Sequence, residues 1–199
     1  MSDILNTLPI YIALIAALLN LVRRQWSLNL IALVIQFIFI IPSLLNLYPI
    51  QIALIQPFTG IMVSLMLYLT LNETGGIEPI NLTRTVTPGE IFRALAGIFL
   101  LAIILFFIND FQKAVFPTVP PQHLYLSFGL MLMGILQLGT IREPLYLAIG
   151  LLTFLSGFQL LYSALEFSYL LEALFVAVNL LLGIVGSFFI VKNAESGSE

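Results

Sequence analysis

Long uninterrupted apolar runs follow one another down this chain, separated by short polar punctuation. They are Leu8–Val22, Leu28–Leu47, Ile50–Leu71, Ile91–Ile108, Leu124–Leu138, Leu145–Leu165 and Leu170–Val191. Most are about 18–22 residues, the length a helix needs to cross roughly 30 Å of hydrocarbon. Leu8–Val22 and Leu124–Leu138 are shorter and reach that length by extending into the interface. The runs are continuous rather than alternating and too long for barrel strands, so strands are not expected. The pattern predicts an all-α, polytopic membrane helix bundle of seven transmembrane helices, with its termini on opposite sides.

Polar and helix-breaking residues divide the chain. Segment 72–90 holds Gly75, Gly76, Pro79, Pro88 and Gly89 and is expected to be an irregular loop. It separates a three-helix part, 1–71, from a four-helix part, 91–192. Asn109–His123 carries Pro117, Pro120 and Pro121; within it, Phe111–Phe116 reads as lying along the interface with Lys113 facing water. The tail 193–199 is polar and expected to be disordered. Pro42 and Pro57 fall inside the second and third runs, where each removes a backbone hydrogen bond; static kinks are expected there.

Composition sharpens the picture. The chain is 60% hydrophobic and 9% charged, against about half and a quarter for a soluble domain, so a bilayer is its partner. Arg23, Arg24, Arg84, Arg93, Arg142 and Lys192 all fall on one side of a seven-span topology, with Lys113 alone on the other. The positive-inside rule makes that side cytoplasmic, the N-terminus outside and the C-terminus inside. Asn72 and Asn81, in glycosylation sequons, then face the cytoplasm and are discounted. Asp3 and Pro9 stand where a signal peptide has a basic region, so none is expected. A bacterial or archaeal cytoplasmic membrane is the expected location. Absence of cysteine and a single histidine, His123, exclude thiolate clusters, cysteine zinc sites and bis-histidine haem. No cofactor and no nucleic-acid partner are expected.

No acidic or basic residue lies near the middle of any run. The polar groups at depth are Gln36, Gln56, Gln137, Gln159 and Asn179, with Thr59, Thr153, Ser156 and Ser187 as lesser ones. An unpaired amide in hydrocarbon costs several kcal/mol, so each is expected to face another helix. Interhelical packing is their first role, and a polar lane for water or solute the second. Amides position water but do not titrate. Asn179, nearest mid-bilayer, is the one to watch. Gly129, Gly134, Gly139, Gly150, Gly157, Gly183 and Gly186 predict close helix approaches. Glu166 and Glu172 read as solvated turn residues between the last two helices, with a paired-carboxylate site as the rarer alternative. Glu90 and Arg93 are spaced as an i,i+3 pair at a helix start. Trp26, Tyr48, Tyr68 and Tyr125 are expected in an aromatic belt, and His123 alone at the outer interface. No hydrolytic or transfer motif is present, so an enzyme is not expected.

A resemblance enters through the last three helices. Ile141-Arg142-Glu143-Pro144-Leu145, then Ile149-Gly150-Leu151-Leu152, resembles the basic turn and following helix of the K subunit of complex I and its relatives in Mrp-type antiporters. Val178-Asn179-Leu180-Leu181-Leu182-Gly183-Ile184 is similar to that family's next helix in its spacing from polar residue to glycine. The seven-helix layout looks like the E component of group 4 membrane-bound hydrogenases. The resemblance spans Leu124–Val191 by motif and the rest by topology. The family's two membrane glutamates correspond here to Leu152 or Thr153, and to Asn179. The resemblance therefore implies a noncatalytic structural subunit beside antiporter-like or hydrogenase-like membrane subunits, its titratable groups lost. Against it stand a transporter or permease for a small neutral solute, suited to the kinked helices, and a membrane assembly or regulatory factor using Asn72–Glu90 as its contact loop.

Overall fold

The computed structural model describes residues 2–75, 87–166 and 168–196. Among these, every regular element is helical: α1 Ser2–Val22, α2 Trp26–Leu45, α3 Ile50–Ala53, α4 Ile55–Glu73, α5 Pro88–Val115, α6 Pro121–Thr140, α7 Pro144–Leu165 and α8 Tyr169–Ser196. Six spans are long and apolar enough to cross a bilayer, with α3 and α4 counted together. Thr7–Val22 in α1 is a shorter apolar helix. The chain is an integral membrane protein with an all-α fold. Arg84, Gly76, Pro79 and Asn81 lie outside the described residues.

Local chemistry sets the helix ends. Pro88, Pro121 and Pro144 open α5, α6 and α7, where a missing N–H is harmless and the fixed φ suits a helix. Thr87 and Glu90 form a reciprocal capping box on α5: Glu90 N–H donates to Thr87 Oγ1 at 3.4 Å, and Thr87 N–H to Glu90 Oε2 at 2.9 Å. Gly75, with φ of 70°, turns the chain just past α4.

The two expected proline kinks come out differently, and two helix ends differ from the sequence expectation. Pro57 kinks its helix as expected: α3 ends at Ala53, the residue whose carbonyl the proline ring would strike, Leu54 keeps right-handed helical angles and donates to Ile50 O at 3.2 Å, and α4 continues from Ile55. Pro42, by contrast, sits in the last turn of a continuous α2. Helix α5 runs unbroken to Val115, so Phe111–Val115 belong to it rather than to an interfacial segment. Helix α8 continues to Ser196, through Lys192, Ala194 and Glu195, all acceptable helix residues once outside the bilayer.

Packing follows two centres. Helices α1, α5 and α6, with the ends of α2 and α7, enclose Leu14, Leu21, Leu44, Leu124, Leu130 and Leu160. The second is a ring. Helix α2 packs on α4, α4 on α8, α8 on α7 and α7 back on α2. Glycines set the closest approaches. A Cβ on Gly134 would stand 2.6 Å from Phe154 N, and one on Gly157 2.6 Å from Ser127 O, so α6 and α7 touch backbone to backbone. Gly139 has open space instead.

The charged residues gather as the pattern requires. Arg93 Nη2 donates to Val22 O at 3.1 Å, joining the start of α5 to the end of α1. Arg24 meets Glu143 at 3.8 Å, joining the α1–α2 turn to the start of α7. Helices α7 and α8 are antiparallel, which brings Lys192 to the same end as Arg142. Large apolar side chains such as Phe92, Phe99, Phe106, Leu170 and Phe188 are exposed along α5 and α8, as hydrocarbon-facing residues must be.

Candidate functional site in the four-helix ring

The buried residues of α8 are Glu172, Phe175, Asn179, Gly183, Gly186 and Ile190, a single stripe of three- and four-residue steps. It faces the ring. Gly183 rests on Val63 of α4, while Gly186 rests on Ala148 of α7 and Leu67 of α4. Gly60 of α4 lies over the Phe37 ring of α2, and Thr153 Oγ1 donates to Gln36 Oε1 at 3.4 Å, tying α7 to α2. These registers place Gln36, Thr59, Thr153 and Asn179 in one layer of the interior. Gln56, Ser156, Gln159 and Glu172 follow toward the end where Tyr48 and α3 lie.

Glu172 corrects the sequence reading. It is 3% exposed, not a solvated turn residue, and its Oε1 accepts a hydrogen bond from Gln159 Nε2. Glu166 is exposed and accepts from the Tyr162 hydroxyl at 2.7 Å, so the two glutamates do not form a pair. Ser163 Oγ donates to Gln159 O at 2.7 Å and shares a hydrogen bond with the Tyr48 hydroxyl. Burial pushes the Tyr48 phenol above its ordinary value. Tyr48, Ser163, Gln159 and Glu172 are thus one connected cluster. Among the described buried residues of the ring helices, Glu172 is the only carboxylate.

Other polar atoms in this interior have no partner among the described residues: both amide atoms of Gln56 and of Asn179, Gln36 Nε2, Gln159 Oε1 and Glu172 Oε2. Each side chain is at most 3% exposed. Thr59 and Ser156 instead turn back on their own helices, donating to Ile55 O at 2.8 Å and Leu152 O at 2.7 Å. Ser187 is half-buried and its hydroxyl is unpartnered.

Toward the arginine end the ring is sealed. Leu30, Leu33, Phe37, Leu67, Leu145, Ile149 and Ile190 pack into an apolar plug. Beyond it a vestibule of about 270 Å3 opens between all four helices, lined by Trp26, Leu71, Thr74, Glu143, Leu145 and Asn193. The polar layer and the vestibule are separated by hydrocarbon.

Several expected site residues lie elsewhere. Gln137 Nε2 donates to Tyr146 O at 2.8 Å, pinning the α6–α7 turn. His123 is 7% exposed in the first turn of α6, buried rather than at a surface, with Nδ1 unpartnered. Tyr48 and Tyr125 are buried too, and Tyr125 meets Tyr11 edge-on at 6.4 Å; Tyr68 stays exposed. Sequence reasoning missed Asn20, Asn29, Ser43 and Ser64, all buried. Asn29 Nδ2 donates to Arg23 O at 3.0 Å, closing the α1–α2 turn. The signal was present: Asn29, Gln36 and Ser43 recur every seven residues along α2, as Glu172 and Asn179 do on α8. Comparison with family models, curated proteins and solved structures finds no match.

Chemically, the ring holds neutral amides at depth and one carboxyl in its outermost turn. Amides orient water and join helices, but they hold no proton between steps.

Proposed function

We propose that the chain is a noncatalytic membrane subunit of a complex I-like, hydrogenase-like or Mrp antiporter-like assembly, serving as scaffold rather than as proton carrier. One observation supports this above the others. The positions that the resemblance matches to that family's membrane glutamates, Leu152 or Thr153 and Asn179, are all buried in the ring, with Thr153 and Asn179 in one layer. That layer carries no titratable group, and an apolar plug closes it toward the arginine end. Glu172 does not restore the path: it lies in the first turn of α8, about 10 Å of helix from Asn179. In this reading α1 is the seventh span, the N-terminus is outside, and the arginine end faces the cytoplasm of a bacterial or archaeal cell.

Purification of the full chain from its native membrane in mild detergent, followed by mass spectrometry, tests the proposal. Antiporter-like or hydrogenase-like membrane subunits are expected to copurify. A lone, stable monomer whose melting temperature rises with a small neutral solute would instead identify a transporter, the reading that the vestibule favours.

A further inference from the structure

Helices α7 and α8 leave a groove on their outer flank, away from the ring. It has a volume of about 380 Å3 and is walled by Leu147, Leu151, Leu182, Val185 and Phe189. Ala148 and Gly186 form its floor, where the two helices come close enough that a Cβ on Gly186 would meet Ala148 Cβ at 2.9 Å. One polar side chain borders this hydrocarbon slot: Arg142, at the α7 end. Arg142 is exposed and has no ion pair among the described residues, because Glu143 beside it turns to Arg24.

A second cation belongs to the same rim. Leu182, Val185, Phe189 and Lys192 follow one another at three- and four-residue steps, so they share one face of α8. Lys192 is exposed one turn beyond Phe189, with Glu195 a turn further out. From Leu182 to Lys192 the helix rises about 15 Å, half of a roughly 30 Å hydrocarbon core. The slot therefore has the depth of one leaflet, apolar below and doubly cationic at the top.

We propose that this groove is a binding site for one anionic glycerophospholipid, its acyl chain along Leu151 and Leu182 and its phosphate between Arg142 and Lys192. A zwitterionic lipid offers the same chain but cancels the phosphate charge with its own ammonium. Charge complementarity at the rim is thus what separates a retained lipid from ordinary solvent lipid.

The full chain, reconstituted with equal phosphatidylglycerol and phosphatidylcholine and released into mild detergent, is to be weighed by native mass spectrometry. One retained phosphatidylglycerol is expected, preferred by about tenfold over phosphatidylcholine. Arg142→Gln with Lys192→Gln should bring the preference close to one, whereas Lys113→Gln, at the other end, should not change it. Val185→Trp fills the slot with every charge in place and should abolish retention. Equal retention of both lipids, or an unchanged preference in the double variant, would overturn the proposal, as would undiminished retention in Val185→Trp. These outcomes do not depend on which subunits copurify.

Discussion

Gln159 donates its amide N–H to the Glu172 carboxylate across the α7–α8 interface, with both side chains buried. The pair joins the two helices thirteen residues apart in sequence and leaves Gln159 Oε1 and Glu172 Oε2 without protein partners. Glu172→Ala should therefore strand the Gln159 amide and cost about 1–3 kcal/mol. Glu172→Gln keeps an acceptor in place and should stay within about 1 kcal/mol of the parent. Thermal unfolding in a single detergent measures both. An alanine variant as stable as the glutamine one would remove the pair from the list of stabilising contacts.

The Asn179 side chain makes no hydrogen bond to a described residue, so its replacement by leucine loses none. Asn179→Leu should alter stability by no more than about 1–2 kcal/mol and leave ion-linked activity of the assembled complex intact. Loss of that activity with assembly preserved would refute the scaffold proposal.

Backbone contact between α6 and α7 makes glycine irreplaceable at two places. Gly157→Ala would set a methyl group 2.6 Å from Ser127 O, and Gly134→Ala 2.6 Å from Phe154 N. Each should cost about 1–3 kcal/mol as the helices are forced apart. Gly139→Ala meets nothing within 4 Å and serves as the control; it should be neutral or slightly stabilising by helix propensity. Equal melting temperatures for all three would contradict the packing described.

Loss of the capping box is the simplest surface test. Thr87→Ala removes the oxygen that accepts from Glu90 N–H and should destabilise by about 1 kcal/mol. Hydrogen exchange of the first turn of α5 should speed up locally while the ring helices keep their protection.

Much of this architecture was legible from hydrophobic run length alone, because a bilayer leaves an apolar segment of about 20 residues few alternatives to a helix. The positions of Arg24, Arg93 and Arg142 were legible for the same reason, since charges must reach the polar ends. The kink at Pro57 was legible from the proline itself, whose ring must clear the carbonyl of Ala53. Glu172 was misread because proximity to a turn suggested solvent, whereas its stripe position, seven residues before Asn179, directs it into the ring. Run length says nothing about which face of a helix is inward. Only the heptad recurrence of polar residues carries that, and on α7 it is blurred by burial on several sides at once.

The ring takes two helices from each side of segment 76–86: α2 and α4 precede it, α7 and α8 follow. A ribosome must therefore release both halves before either has a complete wall, leaving Gln36 to wait in the lipid for Thr153. Cutting the chain within that segment should yield two pieces that are short-lived alone and durable when made together.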